Sequence, residues 1–135
     1  MKKVLDIPNI IISKKGMDVA YSAAMAIDLS KSSKIIFVSG QLAFGDTGDI
    51  VGKGDIVEQT EQCIKNMQIY LQSFDADLKD VVEVVIFVKK IEKLKEIHRI
   101  RLKYFTNPLP TSTLVQIVDF VNPDALIEIK GIAIK

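Results

Sequence analysis

The sequence is poor in the residues that bind metals and form disulfides. Its 135 residues include one cysteine, one histidine and no tryptophan. Cys63 has no second cysteine for a disulfide within the chain, and together with His98 it falls short of the four nitrogen and sulfur ligands of a structural zinc site. We therefore expect neither a metal nor another cofactor.

Long apolar runs and an excess of one charge are also missing. No apolar run approaches the roughly 20 residues needed to cross a bilayer. Met1–Ile12 is interrupted by Asp6, Pro8 and Asn9, and no small-residue cleavage site follows it. With 18 basic and 17 acidic residues the net charge is +1, so no general field draws the protein to nucleic acid or an acidic membrane. We expect a cytoplasmic protein that binds neither membranes nor nucleic acid.

Length and composition predict one globular domain over residues 1–135. The chain is long enough for one hydrophobic core and too short for two domains of ordinary size. Hydrophobic residues make up 48% of the sequence and charged residues 26%. The apolar surface buried on folding can therefore offset the entropy that the chain loses.

Apolar periodicity and turn signals predict a mixed α+β domain. Two short apolar segments, Tyr21–Asp28 and Lys34–Gly40, favour a first hairpin. The glycine-rich segment Gly45–Gly54 predicts a loop with a bridging pair around Ile50 and Val51, and it lacks the Lys-Ser/Thr pair of a phosphate-binding loop. The later elements expected are a helix from Asp55, a strand over Val81–Val88, a helix over Ile91–Phe105, and strands over Thr111–Val118 and Leu126–Ile134. The resulting order is ββαβαββ.

The first helix is predicted to be amphipathic. Asp55 and Glu58 have the spacing of an N-cap residue and its reciprocal capping partner. Apolar and small residues then recur at helical intervals and define one buried face: Thr60, Cys63, Ile64, Met67, Leu71 and Phe74. We interpret Cys63 on this face as a buried structural thiol and not as a reactive one.

The last strand changes its apolar phase along its length. At its start the apolar residues are Ile127 and Ile129. Toward its end they are Ile132 and Ile134, which lie in the opposite phase. A β-bulge at Lys130–Gly131 would explain this change.

The strand over Val81–Val88 is apolar at every position except Glu83. A nearly continuous apolar run is typical of a strand that is covered on both faces. Two helices can cover only one face of the sheet, so we expect copies of the same chain to cover the other. The pattern therefore predicts a closed homo-oligomer without fixing the number of copies.

Several short segments, spread in order over nearly the whole chain, match one known family. They are Tyr21–Ala24, Phe37–Gln41, Gly45–Gly54, Glu58–Thr60, Asn66, Tyr104–Phe105, Asn107–Pro108, Ser112–Thr113 and Ile127–Ile129. In these segments the chain resembles the RidA (reactive intermediate deaminase) family. The resemblance implies a chorismate-mutase-like fold and a homotrimer whose sheets pack at the centre, with small-molecule clefts between subunits.

Thr111 departs from the pattern of that family. The family normally has an arginine at this position, which the resemblance implies would hold a substrate carboxylate through two charge-assisted hydrogen bonds. Threonine supplies one neutral hydrogen bond and no charge. Losing a charged partner typically costs about 1.5 to 3 kcal/mol, so Thr111 argues against the standard imino-acid activity.

The resemblance also implies which residues form the site. Glu128 matches the acidic residue that positions the hydrolytic water, and it is the predicted catalytic residue. Tyr21 would line the cleft, and Ser39 and Gly40 would offer backbone groups. Thr113 stands where the family has Cys or Thr. Together with Thr111 and His98, these residues are the predicted substrate-binding set.

His98 stands where the family commonly has an asparagine that faces the cleft. A lone histidine on a helix is, however, usually a surface residue. A further hypothesis is that His98, Arg101 or Lys130 from a neighbouring subunit supplies the cation that Thr111 cannot.

Two functions are compatible with these features. The first is hydrolytic deamination of a small imine or enamine, in which Glu128 activates or orients water. The alternative is a non-catalytic trimer that binds a small metabolite in the same clefts and acts as a sensor or regulator. RNA cleavage or inhibition of translation is least favoured, because the charge is near neutral and no basic, aromatic surface is evident.

Overall fold

The computed structural model describes residues 20–135 and, for the backbone only, residues 2–4. The segment Met1–Ile12, interpreted above as lacking a cleavage site, lies outside the described residues except for Lys2–Val4. None of the helices in the described part combines the length and the apolar character that crossing a membrane requires.

The described residues form the mixed α+β arrangement that the sequence predicts. The strands and α-helices are β1 (Lys2–Val4), β2 (Met25–Ile27), β3 (Ile35–Gln41), α1 (Ile56–Gln72), β4 (Val81–Val88), α2 (Leu94–Tyr104), β5 (Thr111–Gln116) and β6 (Ile127–Ile134). From β2 to β6 the order is ββαβαββ, as predicted. In the loop before α1, Ile50 forms an isolated bridge with Phe44.

Four of the strands form one sheet in the spatial order β3-β6-β4-β5. β6 is antiparallel to both β3 and β4, whereas β5 is parallel to β4. Parallel neighbours need a long crossover, and α2 supplies it. The predicted hairpin between β2 and β3 is wrong: β2 pairs with β1 in a separate two-stranded sheet. The eight-residue β6 offers β3 a longer ladder than the three-residue β2 does.

Both α-helices pack on one face of this sheet. The buried core between the layers includes Cys63, Ile64, Met67 and Leu71 of α1, Ile97 of α2, and Val84, Ile86, Val88, Ile127 and Ile129 of the sheet. The predicted buried face of α1 is confirmed from Thr60 to Leu71. The prediction for Phe74 is wrong: its side chain is 52% exposed, because α1 ends at Gln72.

Asp55 caps the start of α1. Its carboxylate accepts hydrogen bonds from the backbone N–H groups of Val57 and Glu58, at 3.0 and 3.1 Å. These bonds satisfy two of the donors that have no partner inside a helix. The predicted reciprocal role of Glu58 is wrong, since the N–H of Asp55 donates to the carbonyl of Gly52 at 2.8 Å.

The side chains of β6 alternate regularly between the two faces of the sheet, and the predicted bulge at Lys130–Gly131 is wrong. Alternate residues from Ile127 onward are buried toward the helices, and those between them are half-buried or exposed on the other side. The register shifts instead lie in the two partner strands, between Val38 and Gln41 of β3 and between Val81 and Glu83 of β4. The apolar phase changes because the later isoleucines of β6 belong to a second apolar face.

The sheet has a second face that carries no helix, which we call the open face. Its residues are Ile35, Phe37 and Ser39 of β3, Glu83, Val85 and Phe87 of β4, Thr111, Thr113 and Val115 of β5, and Glu128, Lys130, Ile132 and Ile134 of β6. Phe37 is 75% exposed and Ile35 is 49% exposed. Within this chain β4 is therefore buried on one face only, and the exposed apolar side chains of the open face are of the kind found at interaction surfaces.

We predict that Asp55→Ala destabilises the protein because it leaves helix donors unsatisfied. The free energy of unfolding should fall by about 1 kcal/mol. Urea unfolding at one fixed protein concentration measures this loss as a lower midpoint with an unchanged slope. Asp46→Ala, in the exposed loop before α1, is the control and should leave the midpoint unchanged. Equal midpoints for the two variants would contradict the capping role.

Candidate functional site on the open face

Glu128 is held against the backbone of β3. It lies on β6 opposite Phe87 of β4, with its side chain on the open face. A Cβ atom at Gly40 would lie 1.7 Å from Oε1 of Glu128 and 2.7 Å from its Cδ. Every residue larger than glycine would therefore displace this carboxyl group, so the position of Glu128 depends on Gly40.

The register shift in β3 brings Ser39 and Gly40 to the same place. These two residues lie opposite the single residue Lys130 of β6. An extra residue in a strand locally interrupts the ladder, so some backbone polar groups are not paired across the strands. The carbonyl of Ser39 accepts a hydrogen bond from Nε2 of Gln41 at 2.9 Å. Ser39 and Gly40 thus lie beside Glu128, and their role in offering backbone groups to a ligand stays a prediction.

The two threonines of the predicted site lie on β5, on the open face. Thr113 pairs with Val85 of β4, and Val85 pairs in turn with Lys130 of β6. Thr113 is exposed, whereas Thr111 is half-buried. The hydroxyl of Thr111 donates to the carbonyl of Val82 at 2.9 Å. Since a threonine hydroxyl has one proton, Thr111 has no side-chain donor left for a ligand.

Tyr21 is brought to the start of β5 by its neighbour Ser22. Ser22 forms an isolated parallel bridge with Thr111. Its N–H donates to the carbonyl of Pro110 at 3.0 Å, and its hydroxyl donates to the carbonyl of Leu109. Tyr21 itself is half-buried. The structure thus places Tyr21 and Thr111 at the same edge of the sheet.

His98 and Arg101 lie in the helix layer. Both are buried on α2, with exposures of 9% and 1%, beside the core residue Ile97. Nη2 of Arg101 donates to the carbonyl of Ala20 at 3.0 Å, and burial lowers the pKa of Arg101 to about 10. The sheet separates this layer from the open face, so within one chain His98 is not brought together with Glu128.

Among the residues of β3 to β6, Lys130 is the cation on the same face as Glu128. The two residues are two positions apart on β6, so their side chains share the open face, with Cα atoms about 7 Å apart. Neither residue takes part in an ion pair within the described part of the chain. The sequence predicts that such a cation comes from a neighbouring subunit, whereas Lys130 lies on the same strand as Glu128. Regular alternation along β6, without the expected bulge, would have placed it in the same site.

Cys63 lies under the sheet on the helix side. Its Sγ is 3.7 Å from the carbonyl of Ile127, and burial, together with the negative charge of Glu128, raises the pKa of the thiol. The predicted buried thiol is therefore confirmed, and it is no candidate nucleophile. The described residues contain no group of His, Cys, Asp and Glu side chains that could hold a metal ion.

Known proteins share sequence with most of this chain. A family model described as endoribonuclease L-PSP matches residues 16–135. A RutC family protein of Pyrococcus abyssi is 37% identical over 106 residues, which cover 78% of this chain and 82% of the relative. The 3-aminoacrylate deaminase RutC of Acinetobacter baylyi is 33% identical over 107 residues, which cover 79% of this chain and 84% of that protein.

The fold is shared as well. A crystal structure of a Rid family protein of unknown function from Yersinia pestis has a TM-score of 0.83 to this chain, with 99% and 98% of the two chains covered. At 23% identity this likeness shows the fold alone. The match of the family model and the identity to the RutC proteins show, in addition, that the chain belongs to the endoribonuclease L-PSP family, which is the RidA family that its sequence resembles.

Proposed function

We propose that this protein hydrolyses a small imine or enamine to a carbonyl compound and ammonia at the open face around Glu128. The observation that carries the proposal is the close packing of Glu128 on Gly40, which fixes a carboxyl group beside interrupted backbone. No ion pair of the described residues involves Glu128. The name of the Acinetobacter baylyi relative, a 3-aminoacrylate deaminase, supports the same class of reaction.

Glu128 acts as the general base in the proposed reaction. Its carboxylate accepts a proton from a water molecule while the water oxygen forms a bond to the imine carbon. The proton is then delivered to the nitrogen, which gives a carbinolamine. The hydroxyl proton of this carbinolamine moves to the nitrogen, the C–N bond breaks, and ammonia leaves as the carbonyl group forms. An enamine first accepts a proton on carbon and becomes the imine. One imine and one water thus give one carbonyl compound and one ammonia.

We propose that the site is completed in a homotrimer, with clefts between neighbouring subunits and the open faces at the centre. The exposed side chains of Ile35, Phe37 and Val115 support this arrangement, because association would remove their apolar surface from water. A small molecule is the proposed ligand of the clefts. A cytoplasmic location is the expectation that accompanies this proposal.

The second candidate function is binding of a small metabolite without turnover, in a sensing or regulatory role. The observation that favours it is the state of Thr111, whose hydroxyl donates to Val82 and not toward the open face. Where the family has an arginine, this chain therefore offers neither a charge nor a free donor. The same cleft would then bind a ligand that is not turned over.

We predict that the natural protein accelerates ammonia release from freshly generated 2-iminobutyrate and that Glu128→Gln abolishes the acceleration. Loss of a general base typically lowers the rate by about 10²- to 10⁴-fold. Glu92→Gln, a carboxylate change at an exposed residue outside the open face, is the matched control and should stay within about twofold of the natural rate. If the natural protein is inert and Thr111→Arg gains activity, the second candidate function holds instead.

Gly40→Ala should impair the site without unfolding the protein, since the new methyl group would overlap Oε1 of Glu128. Ammonia release should fall toward the level of Glu128→Gln. The double variant Gly40→Ala/Glu128→Gln should be no slower than Glu128→Gln alone, because both changes remove one function. Steady-state rates of the four proteins complete this cycle. Losses that multiply in the double variant would show that Gly40 acts independently of Glu128.

Phe37→Asp is expected to weaken the trimer, because it introduces a charge into the open face. Sedimentation equilibrium should give the natural protein three times the chain mass of 15.0 kDa and the variant a lower mass. Phe74→Asp replaces a phenylalanine that is 52% exposed outside the open face, and it should sediment like the natural protein. A natural protein that sediments as a monomer would contradict the proposed assembly.

A further inference from the structure

Lys130 lies in the middle of the predicted site residues of the sheet. On its own strand it follows Glu128 by two positions. Across one edge of β6 it faces Ser39 and Gly40. Across the other edge it pairs with Val85, which pairs with Thr113. A ligand that touches the Glu128 carboxyl group and the threonine of β5 would therefore also lie next to Lys130.

The Lys130 side chain has no partner within the described residues. It is exposed, and it takes part in none of the ion pairs found there. The charged residues that β3 to β6 present to the open face are Glu83, Glu128 and Lys130. Lys130 is thus the one cation that these strands offer to a ligand on this face.

The other cations considered for the site are less suitable. The guanidinium group of Arg101 is buried in the helix layer and donates to the Ala20 carbonyl. His98 is buried in the same layer. A lysine ammonium group, by contrast, is a compact charge with three donors on a flexible stem. From β6 such a stem can lean over the open face toward a bound molecule.

We infer that Lys130 is the specificity-determining residue of this site, because its ammonium group binds the acid group of the substrate. The inference rests on the proposed function for the role of Glu128. The Cα atoms of the two residues are about 7 Å apart, which suits a compact molecule whose carboxylate is attached to the imine carbon or to the next carbon. Glu128 then faces the reacting carbon while Lys130 holds the acid group.

The charges of the open face make Lys130 decisive for such a ligand. Glu83 and Glu128 both repel a carboxylate. Glu83 pairs with Ile132, so it lies diagonally next to Lys130. Without the ammonium group of Lys130, a bound anion would face the carboxylates of Glu83 and Glu128 and the neutral side chain of Thr113. Loss of one charge-assisted contact usually weakens binding roughly ten- to a hundred-fold.

The test distinguishes the effect of the ligand's negative charge on binding from the effect of its shape. The probes are 2-oxobutyrate, a stable carbonyl analogue with a carboxylate, and butanone, which lacks the acid group. Titrations followed by NMR compare the natural protein with Lys130→Met and Lys130→Arg. Lys95→Met, an exposed lysine change on α2, is the matched control. The melting temperature and the sedimentation of each variant show whether it is folded and assembled.

We expect Lys130→Met to raise the Kd of 2-oxobutyrate roughly ten- to a hundred-fold and to leave butanone binding within about twofold. Lys130→Arg should keep most of the affinity, and Lys95→Met should keep all of it. Unchanged affinity in Lys130→Met, no saturable binding of 2-oxobutyrate to the natural protein, or a folded variant that loses its assembly would each overturn the inference.

Failure of the inference and failure of the proposed function give different results. If the natural protein releases ammonia and Lys130→Met has the same KM for 2-iminobutyrate, the deaminase reaction stands and the role of Lys130 is wrong. If the natural protein binds 2-oxobutyrate through Lys130 but releases no ammonia, the anion site stands and the proposed function is wrong.

Discussion

The pairing of β6 on both of its edges is the constraint on which the rest of the domain depends. β6 lies between β3 and β4 and is antiparallel to both. With a side-chain period of two, this position fixes two sets of residues at once. One set, which includes Ile127 and Ile129, closes the core against the helices. The other set places Glu128 and Lys130 on the open face, so the core and the site share one strand and one register.

The partner strands adjust to β6 by means of their register shifts. In β3 the shift falls at Ser39 and Gly40, where a Cβ atom at residue 40 would overlap the carboxyl group of Glu128 in its present position. Glycine is thus required here for close approach and not for a turn, since its φ does not lie in the left-handed region. The position of the Glu128 carboxyl group on β6 therefore depends on the local backbone structure of β3.

Periodicity predicted the elements of this fold well because each element has one buried face. The buried face of α1 and the apolar β4 are visible in the sequence. Strand pairing was not predictable in the same way, since β2 and β3 are adjacent in sequence but pair with different partners. The change of apolar phase predicts a bulge at Lys130–Gly131, but the phase alone does not show which strand carries a register shift, and the shifts lie in β3 and β4. The regular pairing of β6 with β4 is what places Lys130 on the same face as Glu128.

Strand register places a positive charge on the face of the site although the family's arginine is replaced by Thr111. Thr111 is the position where the family motif has its cation, and here its hydroxyl is bonded within the sheet. The row formed by Thr113, Val85 and Lys130 crosses β5, β4 and β6 on the same face. The spacing between the Cα atoms of Lys130 and Glu128 is set by β6 itself. The position of a cation at residue 111 would depend instead on the loop that leads into β5. In the proposed arrangement, that covalent spacing selects how far the acid group lies from the reacting carbon.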